Sequence, residues 1–101
     1  MKTDRELLEL AARAAGHNVR WLYGATDIFI SIDGKTRFDP LTDDGDALRL
    51  AVKLSLDLNI NGDHCDVFSS EGFYNCRDDD PYAATRRAIV RAAAAIGEAM
   101  E

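Results

Sequence analysis

Hydrophobic positions along this chain follow two periods, and the switches between them lay out the elements. From residue 3 onward Leu7, Leu8, Ala11, Ala12, Ala14 and Ala15 recur at helical spacing. Thr3 with Glu6 three residues later forms a capping box, Arg5, Glu9 and Arg13 make spaced charge pairs, and Gly16 is a natural stop. These signals predict a helix near residues 3–15. A second helix is predicted over residues 43–55. Thr42 or Asp43 caps it, Asp43, Asp44 and Asp46 complement its dipole, and Leu48, Leu50, Ala51, Val52 and Leu54 give a broad apolar surface. Asp80 and Pro81 fit the N-cap and first position of a third helix over residues 81–99. Its predicted core stripe is Tyr82, Ile89, Ala93, Ile96 and Met100.

The intervening segments alternate with period two. Val19–Tyr23 reads as a short strand or an apolar plug. Asp27–Ile32 and Lys35–Phe38 flank Asp33-Gly34, a strong hairpin signal, and Asp39-Pro40 ends that run. Leu56, Leu58 and Ile60 alternate with Asp57 and Asn59 up to an Asn61-Gly62 turn. Cys65–Ser69 and Phe73–Arg77 continue the meander around Ser70-Glu71-Gly72. The predicted fold is a single α+β domain over residues 1–101, an antiparallel sheet packed with three helices in the order α-β-β-α-β-β-β-α.

The loop between the last two strands decides where the cysteines lie. A two-residue loop sets Cys65 and Cys76 directly opposite each other, whereas a three-residue loop puts their side chains on opposite faces. In a reducing compartment both are expected as free thiols.

With 47% hydrophobic residues the chain can fill one core, and no apolar run approaches the roughly 20 residues a bilayer demands. The first residues, Met1 to Glu6, are too charged for a signal peptide, which makes an intracellular, cytoplasmic location the expectation. A formal net charge of -6 argues against binding nucleic acid or anionic membranes, and suits a partner with a basic surface.

Several constellations invite chemistry and are better read otherwise. Asp57 to Gly62 matches half of a calcium-loop pattern, but position twelve is Phe68 where a bidentate Glu is needed. His17, His64, Cys65 and Cys76 lack the tight pairing of zinc ligands. Asp78, Asp79 and Asp80 read as a solvated helix cap before they read as a cation site. His64 near Ser69, Ser70 or Cys65 carries no nucleophile signature, and no phosphate loop or dinucleotide fingerprint occurs. Arg86, Arg87 and Arg91 could grip phosphate, yet pairing with acidic neighbours is the expectation. No enzyme activity, metal or cofactor is expected.

Two blocks carry a resemblance. Phe38-Asp39-Pro40-Leu41-Thr42-Asp43-Asp44-Gly45-Asp46-Ala47-Leu48 puts an aromatic and Asx-Pro-x-Thr-Asp before a helix, and Ala88-Ile89-Val90-Arg91-Ala92 lies in the last helix. Both resemble the phage αβα-sandwich domain family, small proteins of tailed phages and prophages. The resemblance implies a fold and a phage origin, and no catalytic residues. It leads to the expectation of a small phage-encoded binding protein, an inhibitor of a bacterial defence system of the anti-CRISPR kind acting by protein–protein contact. Alternatives are a phage accessory or regulatory protein, and a small hydrolase or nucleotide-binding protein. The expected contact residues are Asp43, Asp44, Asp46, Asp78, Asp79 and Asp80, gathered with Asp39 at two helix starts on one rim of the sheet.

Overall fold

The computed structural model describes residues 2–17, 20–23, 28–31 and 37–100. Within them the order is α1 (Asp4–Ala14), β1 (Arg20–Tyr23), β2 (Ile28–Ser31), α2 (Asp44–Lys53), β3 (Asp57–Asn61), β4 (His64–Ser69), β5 (Gly72–Arg77) and α3 (Pro81–Ala99). This is the α+β class and the element order that the periodicity predicts.

Each helix begins where its cap chemistry says it should. Thr3 accepts the Glu6 amide hydrogen and Glu6 reaches back to the Thr3 amide, a complete capping box. Asp43 accepts from the Asp46 amide at 2.8 Å, and Asp80 accepts from the Tyr82 amide at 2.9 Å with Pro81 opening the helix. Both α1 and α2 end in a paired carbonyl cap. On α1 the amides of Gly16 and His17 reach the Arg13 and Ala12 carbonyls, with Gly16 at φ +77. On α2 the amides of Ser55 and Leu56 reach Val52 and Ala51, and the left-handed residue is Ser55, at φ +53. No glycine marks that stop, which is why the sequence extends the helix to residue 55.

Among the described residues the first sheet pairs β1 antiparallel with β2, Arg20 opposite Ser31 and Tyr23 opposite Ile28. The Asp33-Gly34 turn lies outside the described residues. Arg37 makes an isolated bridge, and Phe38 is buried in a non-strand segment, its ring edge-on to His17.

β3, β4 and β5 form a separate antiparallel sheet in that order. Asn61 opposes His64 across a two-residue turn, Gly62-Asp63, and Ser69 opposes Gly72 across Ser70-Glu71. The shorter of the two loops considered above is therefore present, and Cys65 faces Cys76 directly. Both are buried free thiols. The two-residue loop makes Ser69–Gly72 a hydrogen-bonded pair, and by alternation Cys65–Cys76 is one as well. Such pairs hold their Cβ atoms at the wide end of the cross-strand range, beyond ordinary disulfide geometry.

α3 is the hub, packing on β4, β5, α1 and α2. Cys65 and Val67 point up from β4 beneath it, both fully buried. The α1–α3 seam is made of small residues: Ala11, Ala12 and Ala15 against an α3 that buries Ala88, Ala92, Ala93 and Gly97. A Cβ on Gly97 would stand 1.9 Å from the Leu10 carbonyl oxygen, so the helix backbones touch there.

Two predicted core stripes are wider than the true ones. α2 buries Ala47, Leu50 and Ala51, while Leu48 and Val52 lie about a quarter-turn round the helix and stay 58% and 70% exposed. In α3 Ile89 and Ala93 are buried, but Tyr82 and Met100 at its two ends are exposed. Helical spacing identifies a face, and the neighbours decide how much of it is covered.

Candidate functional site

A gap opens between α2, α3 and β3. It is a groove of about 530 Å³ lined by Ala47 and Leu48 of α2, Leu58 and Ile60 of β3, and Tyr82 and Ile89 of α3. The register explains it. In β3 Leu58 pairs with Val67 and Ile60 with Cys65, so both share the face on which α3 sits. Yet α3 lies over β4 and β5, leaving the β3 end of that face uncovered, and Ile60 is 59% exposed. Tyr82, 66% exposed, stands at the first turn of α3 beside the opening.

Arg86 holds the groove's upper wall. Its Nε donates to the Leu41 carbonyl at 2.8 Å, and its guanidinium meets the Asp44 carboxylate at 2.6 Å. These contacts tie the start of α2 to the second turn of α3. Asp44 and Pro81 border the same groove, which brings the two acidic helix starts to one opening.

The six predicted contact carboxylates divide by their partners. Asp43 caps α2, and Asp46 accepts from the Asp39 amide and from Arg49. Asp44 pairs with Arg86, Asp78 accepts from the Asp80 amide, and Asp80 caps α3. Asp79 makes no hydrogen bond or ion pair with the described residues. Five of the six thus hold local structure. The Asp43 and Asp44 side chains still face water at the rim, 57% and 61% exposed, whereas Asp46 is turned inward and only 18% exposed. Sequence reasoning missed the groove's floor because it assigned Leu48 and Tyr82 to the core. The available signal was position: Leu48 falls off the Ala47, Leu50, Ala51 stripe, and Tyr82 precedes the buried part of α3 by only two residues.

A second cleft of about 400 Å³ lies on the opposite flank of α3, lined by Lys2, Leu7, Tyr74, Arg87, Arg91 and Glu98. Its cations are mostly engaged. Lys2 meets Glu98 at 2.6 Å, a contact that raises the Lys2 pKa, and Arg87 binds both oxygens of Asp4, which raises its own. Arg91 donates to the Cys76 sulfur at 3.5 Å. Of the three arginines Arg86, Arg87 and Arg91, two therefore pair with carboxylates.

Nucleophile chemistry fares no better. Cys65 is fully buried and burial pushes its thiol up, away from the reactive thiolate. His64 bonds Asp63 at 3.1 Å, and this hydrogen bond, with Arg77 nearby, lowers the Asp63 pKa. Among the described residues no three His, Cys, Asp or Glu side chains converge to hold a metal ion. No described helix is long and apolar enough to cross a membrane.

Comparison with protein-family models finds no match for this chain. Comparisons with curated proteins and with solved structures find none either.

Proposed function

We propose that this chain is a small binding protein, not an enzyme, and that the groove between α2, β3 and α3 receives a partner protein with a basic surface. One observation carries this reading: Leu48, Ile60 and Tyr82, each more than half exposed, converge on one groove between two acidic helix starts. Monomeric surfaces scatter single apolar residues but seldom line an open groove with them. An apolar floor with a charged rim is the anatomy of a protein interface, in which the floor supplies affinity and the rim sets partner choice and association rate.

The biological role suggested by the phage-family resemblance is inhibition of a bacterial defence system in the host cytoplasm, by occupying a basic surface that otherwise takes nucleic acid. A phage accessory or regulatory protein with another partner would use the same surface. The hydrolase or nucleotide-binding alternative has its best footing in the Arg91 cleft, where ion pairs already occupy Lys2 and Arg87.

The test is capture from bacterial lysate. One stoichiometric partner is expected, lost when Asp44 and Asp79 are both changed to Asn, with binding that weakens steeply as salt rises. Capture that ignores salt and both substitutions would place the interface elsewhere. A small molecule co-purifying in place of a protein would support the third alternative.

A further inference from the structure

We infer that the partner engages this groove by strand addition: an extended segment of the partner, apolar at alternate positions and flanked by Lys or Arg, pairs with the free edge of β3. The inference rests on the reading of the groove given above and specifies its mode.

The hydrogen-bond alternation of the sheet identifies the available groups. The two-residue turn makes Asn61–His64 a hydrogen-bonded pair, so Asn59 and Asp57 also spend their amides and carbonyls on β4. The β4–β5 ladder agrees: its hydrogen-bonded pairs use Cys65, Val67 and Ser69, the complementary set of β4 residues. The amides and carbonyls of Leu58 and Ile60 therefore point away from β4. β3 is an outer strand of this sheet, and no described residue bonds those outward groups. The residues that present their backbone to the edge are thus the same two whose side chains floor the groove.

Edges that must stay unpaired are guarded by Lys, Pro, a bulge or a covering loop. Asp57-Leu58-Asn59-Ile60-Asn61 has no Lys or Pro and continuous pairing without a bulge. A strand laid beside it would alternate its side chains, one set entering the groove against Leu48 and Tyr82. Charge selects the occupant. At one end of the edge Asp78 bonds the Asp63 carbonyl of the β3–β4 turn, which gathers Asp63, Asp78, Asp79 and Asp80 there, and Asp44 borders the groove. A second copy would bring two such rims together on chains of net charge -6. A flanking Lys or Arg would be attracted.

The probe is a synthetic octapeptide of alternating valine and threonine with two lysines at each end, titrated onto the intact chain while amide exchange is followed by NMR. The expected result is protection of the Leu58 and Ile60 amides with little change at Asn59. The same peptide N-methylated on its edge-facing amides should bind at least about tenfold more weakly. Ile60→Pro, which removes one outward amide and no β4 bond, should weaken the unmethylated peptide alone, its melting temperature showing that it folds. Binding that perturbs Leu48 and Tyr82 but ignores methylation would overturn strand addition and leave the groove reading standing. Protection at Leu58 and Ile60 that appears without peptide, together with a dimer in sedimentation, would overturn it in favour of a second copy. No binding at millimolar peptide also overturns it, while lysate capture through Asp44 and Asp79 judges the groove reading separately.

Discussion

The two flanks of α3 are built on opposite rules. Toward α1 the seam is alanine on alanine, with Gly97 pressed against the Leu10 carbonyl and ion pairs Lys2–Glu98 and Arg87–Asp4 across the surface. Toward α2 and β3 the large apolar residues Leu48, Ile60 and Tyr82 stand exposed around an open groove. Small side chains let two helix backbones meet, and the meeting leaves no room for change. Large side chains left uncovered give up burial that a partner can restore, at about 25 cal/mol for each Å² of apolar surface removed from water. If the groove receives a partner as proposed, the first flank serves stability and the second contact, and substitutions should separate them.

The largest effect is expected at the seam. Gly97→Ala sets a methyl group into the Leu10 backbone and should cost about 3 kcal/mol or more. In a domain of this size that lowers the melting temperature by more than about 10 °C, readable by calorimetry. A melting temperature within a degree or two of the parent would mean that the helices part easily, and the contrast between the flanks would collapse.

The helix ends offer a finer contrast. α1 closes on Gly16 and α2 on Ser55, both left-handed. Ser55→Gly should stabilise the chain by about 0.5–1 kcal/mol, the left-handed penalty less the freedom glycine adds to the unfolded chain. Gly16→Ser should cost a comparable amount. Denaturant melts at constant slope read both, and two changes of the same sign would refute the assignment.

Acidification tests the α1 side. Burial, followed by the charge of Lys53, lowers the pKa of His17. With the folded value below the unfolded one, the unfolded chain takes the proton first. This contribution to stability is therefore complete above about pH 6.5, erodes as pH falls below it, and levels off under the folded value. The Asp63 pKa is also lowered, so its contribution disappears later, as pH falls through the carboxylate range. Replacing His17 with Gln should flatten the loss between pH 7 and 5.5, and an unchanged slope would exclude this histidine as its source.

The smallest effect on stability belongs to the groove. Leu48→Gln keeps a good helix former at an exposed site and should change stability by less than about 0.5 kcal/mol. The same substitution should weaken capture of the partner about tenfold or more. A large destabilisation instead would show that Leu48 belongs to the core after all.

Where an element's cause is local, the sequence states it. Thr3 with Glu6, Asp43, and Asp80 with Pro81 each satisfy backbone groups within three residues, so the helix starts could be read directly. The Asn61-Gly62 signal marked the β3–β4 turn but not its register, since the loop is Gly62-Asp63 and Asn61 is still paired, with His64. The Ser70-Glu71-Gly72 signal left the cysteine geometry with two options. At Ser55 local reasoning ran out, because a serine in a left-handed cap carries no compositional mark.

Tertiary structure decided what depends on residues far apart in the chain. Arg86 reaches Leu41 and Asp44, 45 and 42 residues away, and Arg87 reaches Asp4 across 83. Periodicity gives Leu48, Leu50 and Tyr82 the same standing, because a hydropathy pattern contains no information about which neighbour arrives. Only the placement of α3 over β4 and β5, clear of β3, covers Leu50 and leaves Leu48, Ile60 and Tyr82 bare. Burial is a property of surfaces brought together over long separations, and it was this that left three apolar residues of apparently buried faces lining an open groove.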